Sequence, residues 1–153
     1  MKKIWGIASI IIILDQMIKY LFTTYMVFGE SIQLLPQFFS FTLVKNTGVA
    51  FSLFAGSQIP LIILSLFISI LLYIWVLKQK HDKWHTLSFG LLFGGIIGNL
   101  IDRIFRAGVI DYLDFNLFGY NFPIFNLADI AVVIGGCLFI FLMWKEENTC
   151  KNI

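Results

Sequence analysis

Ile59 to Leu77 reads IPLIILSLFISILLYIWVL, nineteen residues without a charge. A helix of that length, at about 1.5 Å per residue, crosses nearly all of a hydrocarbon core about 30 Å thick. The run stops at Lys78-Gln79-Lys80-His81-Asp82-Lys83, a polar loop. On its N-terminal side lies a different kind of segment. Gly29 to Gly56 holds Pro36, Gly48 and the alternating or aromatic residues Phe38, Phe39, Phe41 and Val44, the pattern of a small extended unit outside the bilayer.

The remaining spans follow outward from there. Ile4 to about Met26 is the first; the Met1-Lys2-Lys3 start imitates a signal peptide, but no small-x-small cleavage site follows. Thr86 to about Ile104 is the third, interrupted near its end by Asn99, Asp102 and Arg103. Phe105 to Phe122 is expected as a loop, with turn signals at Gly108 and Gly119-Tyr120-Asn121. The fourth span starts at Pro123 or Ile124 and ends at Trp144, before the polar tail that opens with Lys145-Glu146-Glu147.

The expected architecture is therefore an all-α integral membrane protein forming one domain over 1–153. Its spans fall near 4–26, 59–77, 86–104 and 124–144, with a small extracytoplasmic β-like subdomain after the first helix. Composition agrees: 59% of the 153 residues are hydrophobic and 13% charged, whereas soluble domains are about half apolar and a quarter charged. A net charge of +2 gives no reason to expect nucleic acid. Cys137 and Cys150 fall in different environments, so no disulfide framework is implied. His81 and His85 share one polar loop, without metal-ligand spacing. Trp5, Tyr20, Tyr25, Trp75, Trp84, Tyr120 and Trp144 lie near span ends, as an interfacial belt does.

Basic residues orient the spans. Lys2, Lys3, Lys78, Lys80, Lys83, Lys145 and Lys151 share one side; the other holds Lys45 and Arg106. Seven against two places both termini in the cytoplasm, and Gly29–Gly56 and Phe105–Phe122 outside. With the fourth helix starting at Pro123, Asp129 would lie roughly 9 Å along it, and Asp102 roughly 24 Å from the inner end of the third. Both would then sit in the outer leaflet, with Asp111 just above.

Carboxylates at that depth cost at least a few kcal/mol and call for a reason. Asp111, in Val109-Ile110-Asp111-Tyr112, and Asp129, in Phe125-Asn126-Leu127-Ala128-Asp129, end one short excursion. Two carboxyl groups sharing a site cannot both ionise cheaply, so one can act as acid and the other as base on a water between them. The plain alternative makes Asp111 a loop residue and Asp129 the partner of Arg103. Asn99, Asp102 and Arg103 share a helical face, as do Asn126 and Asp129; Asp102 reads as the structural partner of Arg103 or Lys19. Gly94 and Gly98 have the spacing of close helix approach. Asp15 and Lys19 are an i, i+4 pair, read as structural. Asn46 either reaches the site or only makes the Asn46-Thr47-Gly48 turn. A transporter would bury similar groups, but between repeats near the midplane, and no repeat is present. A non-catalytic assembly factor would need no such pair.

Five pieces in order resemble the lipoprotein signal peptidase (signal peptidase II) family, along essentially the whole chain. They are Asp15-Gln16-x-x-Lys19, Asn46-Thr47-Gly48-x-Ala50-Phe51-Ser52, Gly94-Gly95-x-x-Gly98-Asn99-x-x-Asp102-Arg103, Val109-Ile110-Asp111 and Phe125-Asn126-x-Ala128-Asp129. Tyr112 stands where such proteins more often carry Phe. The resemblance implies an aspartic endopeptidase of the bacterial cell membrane with Asp111 and Asp129 as its catalytic pair. Asn46, Asn99, Arg103 and Asn126 would line or brace the site, and the segment after the first span would form a β cradle above it. The implied substrate is a prolipoprotein whose cysteine carries diacylglycerol, cut just before that cysteine. No cofactor or metal is expected; the expected partners are lipidated prolipoproteins and membrane lipid, and the expected state is a monomer.

Overall fold

The computed structural model describes residues 1–48, 58–78 and 82–151. The second half of the Asn46–Ser52 motif and part of the polar loop, including His81, lie outside the described residues. Among the described residues, four helices are long and apolar enough to cross a membrane: α1 (Lys2–Tyr25), α2 (Gln58–Leu77), α3 (Lys83–Arg106) and α4 (Leu127–Lys151). The last departs most from expectation. It starts at Leu127, because the preceding chain is held extended: Phe125 N–H donates to Leu113 O at 3.1 Å, and Leu113 N–H donates back to Phe125 O at 2.9 Å. At its other end the helix runs on through the polar tail.

A second correction concerns Phe105–Phe122. Val109–Leu117 is not loop but strand β3, and Tyr120–Asn121 is β4; with β1 (Ser31–Leu35) and β2 (Phe39–Asn46) they form one antiparallel sheet in the order β1-β2-β3-β4. The β-like unit is thus built from two segments of chain, one after α1 and one after α3. The expected β-like subdomain after the first helix is present, and it also takes in β3, the strand that carries Asp111. Ala107, in the left-handed conformation at φ 53°, ends α3 and turns the chain into β3. The register then sets Val44 beside Asp111 and Asn46 beside Val109.

The third helix is the centre of the bundle. An ideal Cβ on Gly94 would sit 2.7 Å from Ile11 Cβ, and one on Gly98 would sit 2.9 Å from Asp15 Oδ2, so both positions admit α1 closely. Gly95 faces the other way, where a Cβ would come 2.3 Å from Ala128 O at the start of α4. Small residues here replace the hydrophobic drive that lipid cannot supply. One apolar cluster, Ile4, Ala8, Val76, Phe89 and Phe93, fills the end of the bundle near the N-terminus. A second, Met26, Leu43 and Ile110, packs under the sheet with Phe22 and Phe41.

Candidate active site

The first turn of a helix leaves backbone N–H groups without partners, and in α4 side chains from elsewhere take three in succession. Leu127 N–H donates to Tyr112 Oη (3.1 Å), Ala128 N–H to Asp15 Oδ1 (3.1 Å) and Asp129 N–H to Asn126 Oδ1 (3.0 Å). Asp129 Oδ2 accepts from Asn126 N–H at 3.2 Å, so Asn126 and Asp129 form a reciprocal capping box. The three-residue spacing in the sequence is a helix cap as well as a shared face. Asp129 is in the first turn, roughly 3 Å along the helix and not 9 Å.

Asp111, the third residue of β3, is only 2% exposed. Its Oδ1 accepts from Asn126 Nδ2 at 2.6 Å and its Oδ2 from Asn46 Nδ2 at 3.1 Å. Asn46 also takes Gly48 N–H on its Oδ1 (3.0 Å), so it makes the turn and reaches the carboxylate at once. Burial, and then the negative charge of Asp129, push the Asp111 carboxyl up to about 6. Asp129 is half-buried, and its Oδ1 accepts from Asn99 Nδ2 at 2.7 Å. Asn126 bridges the two sides, since its Nδ2 also donates to Asn99 Oδ1 at 3.1 Å. Asp111, Asp129, Asn46, Asn99 and Asn126 thus form one hydrogen-bonded cluster.

Arg103 lies beside them. Its Nη1 donates to Asn99 O (3.4 Å), and its buried Nε has no hydrogen-bond partner among the described residues. Asp102 does not pair with Arg103. It pairs with Lys19 Nζ at 2.7 Å and with Arg106, while Lys19 also pairs with Asp15 at 2.8 Å. Asp15, Lys19 and Asp102 are all fully buried. Gln16 completes this layer by donating to Asp102 Oδ1 (3.1 Å) and accepting from Arg106 (2.7 Å). Gln16, Arg106 and the Tyr112 hydroxyl were not anticipated from sequence. Arg106 had a signal, standing four residues after Asp102 on one helix.

A cavity of about 700 Å³ opens over these groups. Asn46, Asn99, Arg103, Asp111 and Asp129 form its polar floor; Phe122, Phe125, Ile130 and Val133 belong to its apolar wall. Val133 is 63% exposed on the outside of the bundle, so the wall is continuous with the lipid-facing surface. Among the described residues, no group of three or more His, Cys, Asp or Glu side chains is placed to hold a metal ion. Two carboxyl groups at one polar floor, one holding its proton more tightly than usual, can activate a water and protonate a leaving group.

Residues 7–145 match the family described as Signal peptidase (SPase) II. Lipoprotein signal peptidases of Staphylococcus aureus, including that of strain Newman, are 36% identical over 147 residues, spanning 95% of this chain and 90% of theirs. Two solved bacterial membrane enzymes, determined by the in meso method at 2.3 and 1.9 Å, superpose with TM-scores of 0.89 and 0.84 at 34% and 35% identity. The first comparison covers 97% of this chain and 92% of the other, the second 94% and 93%.

Proposed function

This chain belongs to the signal peptidase II family, and we propose that it works as an aspartic endopeptidase through Asp111 and Asp129. It is a multi-pass bacterial membrane protease that removes signal peptides from prolipoproteins. The observation that carries the aspartic mechanism is the shared polar floor, where Asn126 and Asn99 link the two carboxyl groups.

One carboxylate takes a proton from a water, whose oxygen forms the new bond to the scissile carbonyl carbon. The protonated partner gives its proton to the carbonyl oxygen. The C–N bond of the tetrahedral gem-diol then breaks as the protonated carboxyl gives its proton to the leaving nitrogen, while the other carboxylate takes a proton from a gem-diol hydroxyl. The products are an acid and an amine, and the pair again holds one shared proton. Asn46, Asn99, Arg103 and Asn126 orient the carboxylates and the peptide backbone. The substrate we assign is a prolipoprotein bearing diacylglycerol on cysteine, cut on the N-terminal side of that residue. The apolar wall from Phe122 to Val133 fits acyl chains, and a lipid anchor raises local concentration without a large protein interface. The basic-residue bias supports cytoplasmic termini and a site near the outer face. The whole chain acts as one monomeric peptidase domain.

The test is purified protein with a lipidated prolipoprotein peptide, identifying the new N-terminus. Asp111→Asn and Asp129→Asn are each expected to abolish cleavage in folded protein, with the double variant no worse than either. Near-normal turnover by either variant would sink the dyad.

A further inference from the structure

Lys19 is the largest fully buried side chain among the described residues, at 0% exposure. Its ammonium has three N–H donors, and each is used. One meets Asp15 Oδ2 at 2.8 Å, one Asp102 Oδ2 at 2.7 Å, and one Asn99 Oδ1 at 3.0 Å. Each contact leads on, through one more bond, to a member of the proposed catalytic pair or to the residue before it. Asp15 Oδ1 holds Ala128 N–H (3.1 Å), the residue before Asp129. Asp102 Oδ2 holds Ile110 N–H (3.2 Å), the residue before Asp111. With Asn99 Oδ1 fixed by Lys19 and by Asn126 Nδ2, the Asn99 Nδ2 is left to donate to Asp129 Oδ1 at 2.7 Å.

A buried ion cluster of this kind is a poor device for stability alone. Well-packed apolar side chains of similar volume are often as stabilising or more so. Its geometry does what apolar packing cannot: it ties α1, α3, β3 and α4 to one point by directional bonds. We propose that Asp15–Lys19–Asp102 is a spacing device for the dyad, and that Lys19 is a positioning residue which sets the separation and orientation of Asp111 and Asp129. This rests on the dyad reading above. It goes beyond it by assigning catalytic geometry to a charge that touches neither Asp111 nor Asp129.

Lys19→Met in the full chain, assayed on the lipidated peptide per folded molecule, tests the assignment. A misplacement on the order of 1 Å costs about 100-fold in turnover, so kcat should fall by about that factor with KM unchanged. The pH profile supplies a readout that a change in folded amount cannot move. Asp111 faces the Asp129 carboxylate from α4, Lys19 from α1 and Arg103 from α3, with Asn46 and Asn126 as neutral donors. Removing the Lys19 charge raises the proton affinity of Asp111, so the limb it governs should move upward from near pH 6.

Asp15→Asn/Lys19→Met/Asp102→Asn strands no buried charge and keeps an amide oxygen for Ala128 and Ile110 N–H. It should show the same reduced kcat, and it guards against the single variant failing to accumulate. Wild-type kcat and profile in either variant, a change confined to KM, or failure of both to fold would overturn the inference. Asp111→Asn and Asp129→Asn run alongside keep the two questions apart. If they abolish cleavage while Lys19→Met is unaffected, only the spacing role falls; if they retain cleavage, the dyad itself falls.

Discussion

Helices α2 and α3 run side by side in one bundle and obey opposite rules. The uncharged α2 buries only Leu61 and Val76 among its twenty residues. The more polar α3 buries eleven, including His85, Ser88, Asn99 and Asp102. In a water-soluble protein the most apolar helix would sit deepest. Here lipid is the solvent for α2, and α3 is central because its glycines admit neighbours and its polar groups find partners only inside.

The contrast can be broken at four places. The largest effect is expected for Asp102→Asn, which removes one carboxylate from the buried ammonium of Lys19 and from Arg106. Losing a partner in such a cluster costs about 3–5 kcal/mol, so unfolding in mild detergent should shift strongly while some turnover survives. Normal accumulation with complete inactivity would move Asp102 into the chemistry.

Next comes Asp111. Its carboxyl is raised from 3.8 to about 6 in the folded protein. Keeping it folded is therefore cheapest when it is protonated, and that contribution to stability is lost as pH rises from about 4 through about 6. Asp111→Asn lacks this dependence, so its stability relative to wild type should climb over that window by about 3 kcal/mol and then level off. Parallel stability curves for the two proteins would show that Asp111 is not perturbed.

Gly95→Ala should cost about 1–3 kcal/mol, because its Cβ meets the Ala128 carbonyl and the helices must part. At Gly136, where a Cβ meets nothing within 4 Å, the same change should be neutral, and equal effects at both would deny that α3–α4 contact is backbone-limited. The smallest effect belongs to α2: Ile63→Leu, at a residue 61% exposed, should change stability by less than about 0.5 kcal/mol.

The helices were legible because span length and apolarity are local properties, and lipid enforces them residue by residue. The strand β3 was not. Val109, Ile110, Asp111 and Tyr112 are all buried, so no alternation marks them, and the partner strand β2 lies some 65 residues away, as the Asn46–Asp111 bond records. Pro123 is a good first helical residue and points to an earlier start for α4, but the Asn126–Asp129 cap is the stronger signal and sets the start at Leu127. For Asp102, sequence left Arg103 and Lys19 open; neighbours along a helix point apart, and the structure pairs it with the residue that tertiary packing brings across. Tyr112, noted as a departure, has its own partner in Leu127 N–H.

The bond from Ala128 N–H to Asp15 spans 113 residues, and this sets an order of events in the making of the protein. Chains emerge N-terminus first at roughly 5–20 residues per second, so α1 waits on the order of ten seconds for its last partner. Until α3 follows, the i, i+4 pairing of Asp15 and Lys19 at 2.8 Å makes the newborn helix its own counter-ion, and Asp102 and Asn99 then join Lys19 before α4 is made. The carboxyl pair proposed above is complete only when that helix arrives, because Asp129 stands in its first turn.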